Sequence, residues 1–548
     1  MERRGLGRVG VSWRSAGAVL TLVSISLAVT LYNASSSGAL WADAPCYANG
    51  AAMIHDWICS GDVLHPYEHA KKDYSRFPGF SIPFHPPGHP GLLALWFLAV
   101  GPSYIAARCF IAVCLGLLSW AFFGIVRELG ASRVVAFFVA LLLVTTPEIA
   151  RWSRCTMSEI PALAMIAAGS YCFLRWTTTR QSRYAWGAFA LAEAAFFCRL
   201  TTAGVLPAWF LFALARKESP SLFSRHVVLP ASLYLVCNIA WASFASGFSR
   251  YEVAYAASSG VAFLSWDNLS YYPSVLPHMV GWLTLGAAAI GCALAARKAS
   301  LRVPVLFWGS WVCAYYGFQL VVTMNEQRYF TFALPGICGL AALMFAADNR
   351  SLIRRSVGVA VMAGALAANA VQVACLPRGV VGYDAVAERL ADLPEAGNVL
   401  MACPLDQDLI FRYRTRTDRQ SRRLIRGDRS LAIRLADYAR VAPELVAESA
   451  EDVLRVLRRG RVRYLLTPVG ASRRVDDRPI EARLAHEAAS SMPGRFEQLG
   501  RFPLLLETGT RRGDGRHVEV FLWRYLGDLP EGPSELPVVI PTAGLELR

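Results

Sequence analysis

The 548-residue chain is short of charge. Only 17% of its residues are charged, whereas 55% are hydrophobic, and a soluble domain carries about 25% charged residues. With repeated apolar runs near 20 residues, that deficit excludes a water-soluble globular enzyme. The chain reads as a polytopic helical membrane protein. It also lacks any C-x-x-C pair, so neither a zinc nor a dithiol redox motif has support among its thirteen cysteines. Most of these sit in apolar runs, where a thiol behaves as a small buried hydrophobe. Cys46 and Cys59 share one polar loop and are a candidate disulfide if that loop faces an oxidising compartment. Lysine is missing from residue 376 to the end, where 28 arginines stand against 25 acids; this reads as coding bias and points to a bacterium. No convincing internal repeat is present. No clear small-residue cleavage site follows the basic start (Arg3, Arg4, Arg8, Arg14), so the first apolar run is read as a retained span rather than a signal peptide.

The net charge of +15 suggests nucleic acid, but its distribution does not. Arginines gather at the ends of apolar runs and through the C-terminal part, as topology signals and solvated surface, and no nucleic-acid partner is expected. Eleven transmembrane helices are expected, near 16–34, 104–126, 134–147, 159–175, 184–198, 201–215, 226–246, 275–296, 303–323, 329–347 and 355–375. The run 87–101 is apolar but spans only about 22 Å as a helix, short of a bilayer core, and is read as interfacial or re-entrant. With the N-terminus cytoplasmic, inner loops hold eighteen basic residues and outer segments eight, which satisfies the positive-inside bias. The expected organisation is a membrane domain over 1–375, with a long first outer loop at 35–103, and an extracytoplasmic soluble α/β domain over 376–548. In the latter, NVLMACPL (398–405), RVRYLLTP (461–468) and HVEVFLWRYL (517–526) read as strands. SAEDVLRVLRRG opens with a capping-box pattern, Ser449 to Asp452, on an amphipathic helix.

The chemistry concentrates in residues 41–91, which hold five acids, five histidines and many aromatics. This segment is too aromatic and proline-punctuated to be disordered, and is read as a folded cap on one membrane face. Asp43, beside Trp41 and Tyr47, is a partly desolvated carboxylate suited to act as a base; it is equally an interfacial acid capping a helix that starts in WADAPCY. Glu159 heads the fourth span in MSEIPAL, where the helix dipole alone favours an acid. Two acids on one rim can hold an acceptor hydroxyl or a divalent cation, and no metal site is assigned. His85 lies in the proline-rigid HPPGHPG. Arg154, Arg199 and Arg328 lie at the outer rim, where arginine holds a lipid phosphate or simply snorkels. Tyr271, Tyr272 and Trp266 form either a sugar-stacking edge or an aromatic belt.

These residues, taken in order, resemble the GT-C membrane glycosyltransferases, especially the branch with protein O-mannosyltransferases and bacterial aminoarabinose transferases. The resemblance covers about residues 15–350. It rests on Asp43 after the first span, on Gly61-Asp62 to Pro66-Tyr67, on HPPGHPGLLALW, on Glu159 and on Arg328-Tyr329 to Pro335. The chain departs from many relatives in having Ala44 after Asp43, and from several in having His85 rather than lysine before the double proline. The resemblance implies an integral membrane enzyme that uses a polyprenyl-phosphate sugar donor at the outer face of the lipid bilayer; the coding bias, not the resemblance, is what makes that membrane a bacterial plasma membrane in this reading. Asp43 and Glu159 would be catalytic; His85, Arg154 and Arg328 would hold the donor phosphate; Tyr47, Tyr67 and Tyr271 would contact sugar or acceptor. A transporter or flippase of lipid-linked sugars is the competing reading. It predicts paired halves and ionisable groups at the bilayer midplane, neither of which the sequence shows.

Overall fold

The computed structural model describes residues 13–80, 86–216, 223–245, 262–322, 325–346, 352–416, 422–433, 444–469, 479–507, 515–532, 534–536, 538–540 and 545–547. The N-terminal two thirds are helical. Apolar α1 (Trp13–Leu31) leads into α2 (Asp43–Ser60), α3 (Pro66–Arg76) and the short α4 (Gly88–Val100). The long polar segment is thus a folded helical cap. Pro66 opens α3 at a position where its missing N–H costs nothing, and Gly61 ends α2 at φ 74°, a left-handed conformation that favours glycine.

The bundle continues with α5 (Tyr104–Glu128), α6 (Arg133–Thr145), α7 (Pro147–Ser153), α8 (Glu159–Thr179), α9 (Ser182–Cys198) and α10 (Val205–Ala215). It closes with α11 (Arg225–Ala245), α12 (Trp266–Val280), α13 (Trp282–Ala296), α14 (Arg302–Val322), α15 (Leu334–Ala346) and α16 (Leu352–Ala374). Among the described residues, five helices are long and apolar enough to cross a membrane, or up to seven if each bent pair is one span. Two of the expected spans are broken. The run 275–296 bends by 112° between α12 and α13 at Gly281, whose φ is 82°. The run 134–147 ends where Pro147 opens α7 at 62° to α6; proline cannot continue the preceding ladder of hydrogen bonds. The bundle packs tightly around Trp308, where a Cβ at Gly339 would sit 2.2 Å from the indole ring.

The chain then enters a six-stranded sheet built from β1 (Gly379–Val381), β2 (Asn398–Met401), β3 (Leu424–Arg426), β4 (Val462–Val469), β5 (Phe496–Glu507) and β6 (Arg516–Tyr525), in the order β1-β5-β6-β4-β2-β3. The strands β3, β2 and β4 are parallel, and the hairpin β5–β6 adds antiparallel. Strand alternation divides the core. Val399, Met401 and Leu466 face one layer with α17 (Tyr383–Ala391) and α18 (Asp406–Arg414). Leu400 and Leu465 face the other, with α19 (Ala450–Arg459) and α20 (Ile480–Ser491). The Ser449–Asp452 capping box is present at the start of α19.

The candidate Cys46–Cys59 bridge is overturned. Both residues lie on α2, 13 positions apart, or about 20 Å along a helix, far beyond disulfide reach. Both remain thiols.

Candidate active site

Asp43 is the first residue of α2, and Ala42 rather than Asp43 takes the N-cap position. The Asp43 carboxylate therefore lies in the first turn, where the helix dipole favours negative charge. Its partner comes from far along the chain: Arg328 Nη1 donates to Asp43 Oδ2 at 2.7 Å. Arg328 sits in the 3-10 turn Gln327–Ala333 that precedes α15. The same guanidinium bonds Glu326 through Nε and donates from Nη2 to the Tyr329 hydroxyl at 3.2 Å. It also covers the rings of Trp41 and Tyr329, at 5.2 and 5.0 Å from their centroids. Trp41 meets Trp152 edge-on, and Trp152 donates to buried Glu148 at 2.7 Å. Arg328 is thus held by two carboxylates and two rings. Its side chain is 9% exposed, against 20% for Asp43 and 27% for Glu326, so the acids form the open side of the cluster.

A second, deeper pair lies behind it. Glu159 is fully buried at the start of α8, and its Oε1 stands 3.3 Å from Arg199 Nη2. Arg199 also reaches the Tyr47 hydroxyl at 3.4 Å and covers the ring of Tyr329 at 5.3 Å. Ser158 donates to the same Tyr47 hydroxyl at 3.3 Å. Burial pushes the Tyr47 hydroxyl far above its ordinary range, while the Arg199 charge acts against that shift. Tyr47 therefore keeps its proton. His89 on α4 packs edge-on against Tyr47 at 5.0 Å, and burial pulls its imidazole down to about 3, so it is neutral at physiological pH.

Of the sequence-derived residues, the structure brings together Asp43, Glu159, Tyr47 and Arg328. Tyr271 flanks the group: it meets the ring of Tyr272, whose hydroxyl donates to the Glu326 carbonyl at 3.4 Å. Arg154 is placed elsewhere. Its Nε donates to the Val29 carbonyl near the end of α1 and its guanidinium covers Tyr32. Tyr67 is 58% exposed on α3, with Lys71 over its ring. His85 lies outside the described residues. Sequence reasoning had Arg199 only as one of the rim arginines and Tyr329 only within the Arg328-Tyr329 element, and gave Glu326 no role. The available signal was a charge, Arg199, between two apolar runs, and the tight grouping Glu326-Gln327-Arg328-Tyr329. Among the described residues, no group of three or more His, Cys, Asp or Glu converges to hold a metal ion. Asp43 and Glu326 flank a guanidinium instead. Such an arrangement suits acid–base chemistry, because an accessible carboxylate beside a cation can take a proton from one group while the cation receives negative charge on another.

Residues 84–244 match the family described as dolichyl-phosphate-mannose-protein mannosyltransferase. The fold is similar to that of ArnT from Cupriavidus metallidurans. The crystal structure bound to undecaprenyl phosphate aligns with a TM-score of 0.56 at 14% identity, over 92% of this chain and 98% of that one. The apo crystal structure aligns with a TM-score of 0.54 at 13% identity, over 93% and 98%. No curated protein matches the chain in sequence. The GT-C resemblance is borne out in the fold, helical membrane part and C-terminal sheet domain together.

Proposed function

We propose that this GT-C-fold chain is an integral membrane glycosyltransferase that moves a sugar from a polyprenyl-phosphate donor to a lipid, glycan or protein acceptor at the outer membrane face. The carrying observation is the 2.7 Å pair between Asp43 and Arg328 on the open side of the cluster. The undecaprenyl phosphate in the similar ArnT structure supports the donor class, and the mannosyltransferase match supports the reaction type.

At rest Arg328 neutralises Asp43 and holds it still. A donor phosphate offers the guanidinium a bidentate anion. As Arg328 turns to it, Asp43 loses its counter-charge and becomes the stronger base. The acceptor oxygen attacks the anomeric carbon from the face opposite the phosphate and its proton passes to Asp43. The carbon–oxygen bond to the phosphate breaks with inversion, and the bond electrons leave on the polyprenyl phosphate. Arg328 stabilises the charge that grows there. Glu159 holds Arg199, and both Arg199 and Arg328 pack on Tyr329. Glu159 thus serves the site through its arginine, from beneath.

The test is transfer of label from radiolabelled polyprenyl-phosphate sugars to membrane extract, with wild type beside Asp43→Asn. Loss of about 10²- to 10⁴-fold in the variant is expected for a removed general base. Near-normal transfer by Asp43→Asn overturns the mechanism. Movement of donor across vesicles without any transfer favours the flippase reading instead.

A further inference from the structure

The segment that carries Asp43 is bound at several points, before and after that residue, to the C-terminal sheet domain. Directly after α1, the Gly38 N–H donates to the Arg378 carbonyl at 2.9 Å, and the Val380 N–H donates back to Ala39 at 3.1 Å. Residues 38–39 thereby lie against β1, held by two backbone hydrogen bonds. The approach is so close that a Cβ on Gly38 would lie 1.8 Å from the Val380 oxygen. Arg412 of α18 donates to the Ser37 carbonyl at 2.9 Å. The Gln407 amide, in the orientation that satisfies its neighbours, donates to the Ala42 carbonyl at 3.0 Å, one residue before Asp43. Asn49 then donates to the Gln407 carbonyl at 3.0 Å. Last, buried Arg414 binds Asp56 at 2.9 Å and Asp73 at 2.8 Å.

The apolar contacts interlock in the same way. Phe77 of the cap belongs to the core beneath the sheet, and Arg414 covers its ring at 5.0 Å. Phe411 of α18 belongs in turn to the core of the helical bundle, stacked on Phe97 at 6.3 Å. A domain that only shields a site from water has no need to bind the Asp43 segment on both sides, at Ser37 and Ala42 before Asp43 and at Asn49 and Asp56 after it.

We infer that α18 of the sheet domain sets the position of Asp43, with Arg414 and Gln407 as positioning residues that act through α2. The inference rests on the glycosyltransferase reading for its catalytic consequence and on geometry alone for the clamp. Arg328 approaches Asp43 from the membrane bundle and α18 approaches from the sheet domain, so the distance between base and phosphate is set where the two meet. Displacement of a reacting group by about 1 Å costs on the order of a hundredfold in rate.

The experiment compares full-length wild type, Arg414→Met, Arg414→Lys and the milder Gln407→Ala in detergent, by hydrogen exchange and by label transfer at saturating donor. Exchange in the first turns of α2 is expected to rise about tenfold or more in Arg414→Met while β4 and β6 stay protected. The turnover per folded molecule is expected to fall about 10- to 100-fold, with donor affinity within about twofold, because Arg328 and the membrane helices are intact. Arg414→Lys is expected to fall between the two, since it keeps a charge and loses the fork. If Arg414→Met does not fold, Gln407→Ala carries the same comparison with a smaller rise. Unchanged α2 exchange overturns the clamp. Raised α2 exchange with unchanged turnover overturns the positioning role. A wild type that transfers from no donor overturns the glycosyltransferase reading, while the exchange comparison still decides the clamp.

Discussion

Replacing Arg414 by methionine keeps most of the side-chain volume and removes one charge from a nearly dry place. Asp73 is left 8% exposed and Asp56 29% exposed, both facing an apolar group. Asp56 can turn toward water, so Asp73 carries most of the cost. Breaking a buried pair by removing one partner costs about 3–5 kcal/mol, a large share of the roughly 5–15 kcal/mol by which domains are stable. The loss should depend on pH. Burial already pushes the Asp73 carboxyl above its usual range, and Arg414 is the largest influence pulling it back. Without Arg414 it rises further. A carboxyl raised in the folded state favours the fold when protonated, and that contribution is lost as pH rises through the folded value. The variant is therefore expected to lose most at pH 8 and distinctly less at pH 5. Arg414→Met with Asp73→Asn should recover much of the loss at pH 8, since two neutral partners leave no buried charge. Opening free energies from hydrogen exchange of α18 amides at the two pH values measure it. A loss below about 1 kcal/mol at pH 8, the scale of an exposed pair, or an equal loss at both pH values, would refute the reasoning.

Other expectations follow from single contacts. Arg328→Lys keeps a charge but not the fork that reaches Asp43, Glu326 and Tyr329 together; donor turnover should fall about tenfold or more, and wild-type turnover would show that one point charge suffices. Gly38→Ala meets the Val380 carbonyl and should lower the melting temperature of the whole chain, whereas Gly17→Ala, with open space around it, should not. Cys59 is exposed and Cys46 buried, both as thiols. A maleimide should label Cys59 without prior reduction, and labelling only after reduction contradicts the helical placement of the pair.

The legibility of this chain differs from element to element. The apolar runs announced helices because a span must satisfy its backbone internally whatever packs beside it. The strands 462–469 and 516–525 and the Ser449 cap were readable because they are local patterns of burial and hydrogen bonding. The breaks at Gly281 and Pro147 were less so: hydropathy averages over a bend, while a bend depends on one φ angle or one missing N–H. In this segment α2 was one of two readings of Asp43 and α3 was not read at all, because contacts that hold the segment, Phe411 on Phe97 and Tyr413 beside Phe77, come from a domain far along the chain.

Local patterns were enough to establish a helical membrane protein with an α/β end, and to put Asp43, Glu159, Tyr47 and Arg328 forward as candidates. They sufficed because hydrophobic length, charge placement and residue type are properties of short stretches. The partners are another matter, and came from packing alone. It gave Arg328 to Asp43 and Glu326, gave Arg199 to Glu159, and sent Arg154 to the end of α1. Each arginine is chemically able to serve any of these acids. The choice falls to whichever carboxylate the packing of distant helices leaves within reach of a guanidinium that must not stay buried alone.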